Sequence, residues 1–133
     1  MPTLEERLKE ICKKFVDGKK VLSAMVITQS GEVLAWYYRR TLSEDDLAKV
    51  LRRSSVIYGV LMHDVPFGDF KSASVRYSGG SFHVVNIDYS HLIIFSTPAQ
   101  IELDQVELNP VINELRDVLR ERLKPYLEEE GQV

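Results

Sequence analysis

The sequence predicts an α+β domain: a five-stranded antiparallel sheet sandwiched by helices, two-layer to three-layer, in the order α-β-β-α-β-β-β-α. Three observations carry this. Three segments repeat their apolar residues with a helical period. Five short runs rich in β-branched and aromatic residues lie between them, each bounded by turn residues. The first of those runs, residues 21–28, is apolar on both alternating faces, as a central strand covered on both sides must be.

Thr3 and Glu6 form a capping box that starts the first helix. Leu4, Leu8, Ile11, Cys12 and Phe15 make one apolar stripe, Glu5/Lys9 and Glu10/Lys14 are expected to pair on the wet side, and Gly18 supplies the left-handed stop. Residues 21–28 and 33–39 read as a hairpin joined by turn chemistry at residues 29–32. Simple alternation puts Val21, Met25 and Ile27 on one face and Leu22, Ala24 and Val26 on the other.

Ser43 can cap a second helix, with Glu44, Asp45 and Asp46 in its first turn complementing the helix dipole, and the pattern extends to about His63. Leu47, Val50, Leu51, Ser54, Ile57, Tyr58 and Leu61 form its core stripe. At 100° per residue Val56 and Val60 project from the opposite side, beside Lys49 and Arg53. This helix is apolar on two faces. That is the most informative contrast in the chain.

Residues 66–69 break the pattern, and a meander follows in residues 70–78, 81–88 and 92–97. Gly79-Gly80 suits a two-residue primed turn and Tyr89-Ser90 a second turn. The first member is the most polar and is expected at an edge. A linker with Pro98, Glu102, Asp104 and Glu107 leads to Asn109-Pro110, read as cap and first helical residue of the last helix. Val111, Ile112, Leu115, Val118, Leu119, Leu123 and Tyr126 form its apolar side, and Pro125 weakens its final turn. The expected domain is residues 1–127, with 128–133 a solvated acidic tail. The middle helix should cover one sheet face and the terminal helices the other.

Composition narrows function by exclusion. The chain has 133 residues, 44% hydrophobic and 28% charged, as globular domains do. Seventeen Lys+Arg against twenty Asp+Glu give a net charge of −3, which argues against nucleic acid. No run approaches a membrane span, and Met1-Pro2-Thr3-Leu4 is unlike a signal peptide, so the expected compartment is the cytoplasm, in keeping with the lone Cys12. No metal and no cofactor are implied: His83, Asp88 and His91 are poorly spaced to converge, and no Gly-rich loop opens a helix. His63-Asp64 reads as a helix end, and Cys12 as a small buried hydrophobe. Trp36, Tyr37 and Tyr38, ahead of Arg39 and Arg40, could stack single-stranded bases, but read better as an edge strand with its aromatics under a helix. No nucleophile, base and orienting group come together, so the reading is non-enzymatic.

The hairpin Leu22-Ser-Ala-Met-Val-Ile-Thr-Gln-Ser-Gly-Glu-Val-Leu-Ala35 resembles the apolar strand, polar-Gly turn and apolar strand of the roadblock/LC7 family, a branch of the profilin-like and longin-like folds. The Gly79-Gly80 turn before Phe82-His-Val-Val85, and then Leu92-Ile-Ile-Phe95, extend the likeness over most of residues 4–120. The resemblance implies a non-enzymatic homodimer or heterodimer that serves as a scaffold, a motor-complex light chain, or a regulator of a small Ras-like GTPase. In such proteins the first meander strand pairs with its mate and the middle helices pack side by side. On that reading Lys49, Arg53, Val56 and Val60 form the helix contact, Ser72, Ser74 and Arg76 the strand contact, and Arg52 and Arg53 meet a partner's acidic surface. The alternative is a small-molecule-sensing module of profilin-like or PAS-like shape, its ligand between sheet and middle helix near Tyr58 and Phe82.

Overall fold

Apolar residues on both faces of its inner strands oblige the sheet to be covered twice. The chain runs α1 (Leu4–Phe15), β1 (Ser23–Thr28), β2 (Val33–Tyr38), α2 (Glu44–Leu61), β3 (Ser72–Tyr77), β4 (Gly80–Asp88), β5 (His91–Thr97) and α3 (Gln105–Glu130). The computed structural model describes residues 2–39, 44–61, 66–88 and 90–130, without the side chains of residues 44, 47, 57, 58, 60, 61 and 122–130. The sheet is antiparallel, in the order β2-β1-β5-β4-β3. The α+β class and the order of all eight elements are as the sequence predicts.

Strand alternation sorts the core into two layers. Ala24, Val26, Ile87, Ile93 and Phe95 meet Leu8, Ile11 and Cys12 of α1 and Ile112, Leu115 and Leu119 of α3. On the other face Met25, Ile27, Phe82, Val84, Leu92 and Ile94 lie beneath Val50 and Leu51 of α2. Val21 departs from the expected parity and joins the α1/α3 layer. It precedes β1, where the Asp17 carboxylate accepts the amides of Lys19, Lys20 and Val21 and turns the chain out of strand alternation. Those three amides hold the Asp17 carboxyl below its usual range.

Local chemistry explains most boundaries. Thr3 Oγ1 accepts the Glu6 amide at 3.2 Å, the first half of the capping box. Ser43 lies outside the described residues, as do Arg40, His63, Asp64 and Tyr89. The β3–β4 turn sits one residue earlier than expected. Tyr77 pairs with Gly80, so Ser78 and Gly79 make the turn and Gly80 enters the strand. Gly80 has φ +155, and a Cβ there would stand 3.0 Å from the Thr97 carbonyl oxygen, which explains why glycine occupies this position.

The start of α3 corrects the sequence reading more substantially. Asn109-Pro110 is not the cap. Asp104 Oδ1 accepts the Glu107 amide at 2.9 Å and its carbonyl accepts from Leu108, so the helix begins at Gln105. Pro110 lies inside the helix, where its missing N–H leaves the Val106 carbonyl without a helical donor at an exposed residue. The helix continues to Glu130, into what was expected to be tail.

Ion pairs tie α3 to the N-terminal segment: Arg7 to Glu121 at 2.6 Å, Lys14 to Glu114 at 3.0 Å and Lys20 to Glu107 at 2.9 Å. Lys14, expected to pair with Glu10 along its own helix, thus reaches across to α3. Arg116 Nε donates to the Ile87 carbonyl at 3.0 Å and fixes α3 to β4.

The two caps are separable by substitution. Asp104→Ala should cost about 1 kcal/mol in urea unfolding, whereas Asn109→Ala, at an exposed helical position, should change stability by less than about 0.5 kcal/mol. The reverse ranking would restore Asn109 as the cap.

Candidate interaction surface

The α2 helix is amphipathic toward the sheet and only partly polar away from it. Ser54 is fully buried against the sheet and Val50 and Leu51 are partly so. A helical half-turn from Ser54, Lys49, Arg52 and Val56 are exposed, Val56 to 66%, and the exposed Arg53 lies on the flank between the two faces. The side chain of Val60 lies outside the described residues. The outward face expected from the 100° projection is therefore present at Val56, with basic neighbours.

Arg53 is not simply a solvated cation. Its Nη1 donates to the Tyr77 hydroxyl at 3.1 Å, bending the side chain from α2 toward the last residue of β3.

The other half of the predicted interface lies on a different face. β3 ends the strand order, as expected from its polarity, and among the described strands it pairs with β4 alone. Val75 sits opposite Phe82 and packs on the α2 side, so the alternate residues Ser72, Ser74 and Arg76 project toward the α1/α3 side. There Ser74 Oγ shares a hydrogen bond of 2.6 Å with His83 Nδ1, and Arg76 pairs with Glu102. These side chains have partners within their own chain. What β3 leaves available is its outer row of main-chain N–H and C=O groups.

His83 is held rather than poised to bind a metal. Its ring stacks on Phe95 with centroids 4.7 Å apart, and Nε2 shares a hydrogen bond of 2.9 Å with the buried Thr97 hydroxyl. Asp88 and His91 pair with each other at 3.0 Å beside the β4–β5 connection. The three residues considered for a metal are thus divided between two local bonding sets. Cys12 is buried, and burial pushes its thiol up to about 12, so at neutral pH it is a protonated, unreactive core group.

Trp36 and Tyr38 correct the expectation for the edge aromatics. Tyr37 packs in the α1/α3 layer as predicted. Trp36 and Tyr38 point to the α2 side, where their rings stack at 5.0 Å with an interplanar angle of 7°, and Trp36 remains 45% exposed. Tyr77 is exposed on the same side and stacks on Phe82 at 6.1 Å. Period-two alternation counted from Met25 and Val75 contains both results, but only once strand register is known.

No protein-family model and no curated protein matches this chain. Solved structures do. The gliding protein MglB of Thermus thermophilus superposes with a TM-score of 0.71 at 13% identity, over 91% of this chain and 94% of that one. MglB of Myxococcus xanthus gives 0.73 at 9% identity, over 91% and 93%. A Roadblock/LC7 domain from Streptomyces avermitilis gives 0.61 at 14% identity, over 90% and 97%. The fold is that of a roadblock/LC7 domain. At these identities the likeness is one of fold. Among the described residues no helix is long and apolar enough to cross a membrane.

The environment of His83 makes the β3–β4–β5 layer sensitive to acid. Burial, with a smaller contribution from Arg76 and partial compensation by Glu102, lowers its pKa below the usual 6.5. The unfolded chain then binds the proton more readily than the folded one, so stability is complete above pH 6.5 and declines below it. The slope for one proton is at most about 1.4 kcal/mol per pH unit. His83→Gln should flatten this part of the urea-midpoint profile, and an unchanged slope would remove His83 as its source.

Proposed function

We propose that this roadblock domain, residues 1–127, is a non-enzymatic homodimeric interaction protein. It acts in the cytoplasm as a binding platform for, and regulator of, a small Ras-like GTPase. The outward face of α2 carries the proposal. An exposed Val56 with Lys49 and Arg53 alongside, and Val60 one turn further on, suits a helix that packs against a second copy of itself about a twofold axis.

The β3 edge supports the same geometry. Main-chain groups of Ser72, Ser74 and Arg76 would pair with their mates, extending the sheet across the dimer while the Ser74 and Arg76 side chains keep their contacts to His83 and Glu102. One of the similar structures is of MglB in a tetrameric arrangement, which supports self-association of this fold. Arg52 and Arg53 supply positive charge for an acidic surface on the GTPase, where rim charges act mainly on association rate. The GTPase itself rests on the roadblock resemblance.

Light scattering on a sizing column tests the dimer, and the wild-type chain should elute as two copies at micromolar concentration. Val56→Asp places two carboxylates face to face on the twofold axis, which costs several kcal/mol and should shift the protein to a monomer that keeps the far-UV circular dichroism of the folded chain. A monomeric wild type overturns the dimer, and a Val56→Asp/Val60→Asp protein that stays dimeric overturns the helix contact. For the partner, immobilised domain should retain a purified Ras-like GTPase from the same cell in one nucleotide state in preference to the other. Retention in neither state overturns the GTPase assignment.

A further inference from the structure

On the α2 side, strand register lines up one row of residues across the sheet: Tyr38 opposite Ser23, Ser23 opposite Ser96, and Ser96 opposite Phe82. The middle pair is small and the ends are aromatic. The row is consequently low at the centre and high at both ends, leaving a trough of about 350 Å³, within the size range of small-molecule sites. Tyr38 and Phe82 stand three strand spacings apart, roughly 14 Å between Cα atoms. With the side chains leaning inward, that span suits a ligand of one or two rings.

Trp36 stacked on Tyr38 walls one end, and Tyr77 stacked on Phe82 walls the other. The floor is not inert. Ser23 Oγ and Ser96 Oγ are hydrogen-bonded to each other, which uses one of their two hydroxyl protons and leaves the second free to be donated upward. Arg53 stands at the rim, where its bond to Tyr77 already holds the guanidinium in place. Among the described residues lining the trough Arg53 is the only charged one, so nothing acidic there competes for its remaining donors.

We propose that this trough binds a small planar aromatic carboxylate. Its ring lies over Ser23 and Ser96 between the two aromatic walls, and its carboxylate is held by Arg53. The walls offer π-faces to a flat apolar body, and the guanidinium offers the planar, paired donors that a carboxylate matches. Arg53 is pre-oriented, so less side-chain freedom is lost on binding. The site adjoins the proposed dimer face and shares Arg53 with it, whereas Val56, which is not among the lining residues, projects away from the sheet.

Calorimetric titration with 2-naphthoate, and with neutral 2-naphthamide as control, tests the proposal on the intact chain. Naphthoate should saturate at one per chain, with the amide at least tenfold weaker. Arg53→Gln should reduce naphthoate to the level of the amide while leaving the amide unchanged, and Ser96→Leu, which fills the floor, should abolish both. A readout needing no variant is the indole N–H resonance of Trp36, the chain's one tryptophan, which should shift as naphthoate saturates. No saturation in the millimolar range, equal binding of acid and amide, or an unmoved indole resonance would each overturn the proposal. An indole resonance that shifts with protein concentration alone would also overturn it, by placing a second copy in the trough.

Discussion

Strands β1 and β5 are buried on both faces, and the rest of the molecule is arranged around that requirement. Val26 and Ile93 cannot be hidden by the layer that hides Ile27 and Ile94, so helices are needed on both sides. The two sides are met unequally. α1 and α3 jointly cover one face and are joined by ion pairs, whereas α2 alone covers the other. Its contact surface includes a serine, Ser54, whose buried hydroxyl has no hydrogen-bond partner among the described residues. One helix is narrower than five strands. Among the described residues, the part of that face that α2 leaves uncovered is the trough, and the unburied side of the same helix is the proposed dimer surface.

What could be read from the chain beforehand follows the range of the interactions involved. Thr3 as a cap and the two-sided burial of β1 depend on neighbours within a few residues, and both were legible. Asp104 was legible in principle: it stands three residues before Glu107, the same spacing as Thr3 and Glu6. The Asn-Pro pair that follows is an equally good local signal, and nothing local ranks the two. Lys14 shows the other kind of failure. Glu10 is available one turn back, yet Lys14 bonds Glu114, because helix docking brings a distant carboxylate closer in free energy than a flexible neighbour. Val21 fails because alternation was extended past the residue where the strand begins.

The candidate surfaces divide along the same line. Helical projection from sequence is enough to expose Val56 with its basic neighbours, since it needs only the geometry of one element. The side of β3 on which Ser72, Ser74 and Arg76 lie depends on what Val75 packs against, and the serine floor depends on the register between β1 and β5. No single segment encodes either. Arg53 joins the two halves: sequence places it on the outward face of α2, and the fold bends it back to Tyr77.

The ion pairs between the N-terminal segment and α3 link positions 114, 100 and 87 residues apart in the chain. On a ribosome α1 emerges early, but the element that completes its layer is the last to appear. Until residues 105–130 are made, Leu8, Ile11 and the inner face of β5 have only half their cover, and the nascent chain presents an open apolar sheet. The α1/α3 layer therefore cannot be completed before residues 105–130 have been made, and in the cell the interval before α3 docks is when a chaperone has the most apolar surface to hold.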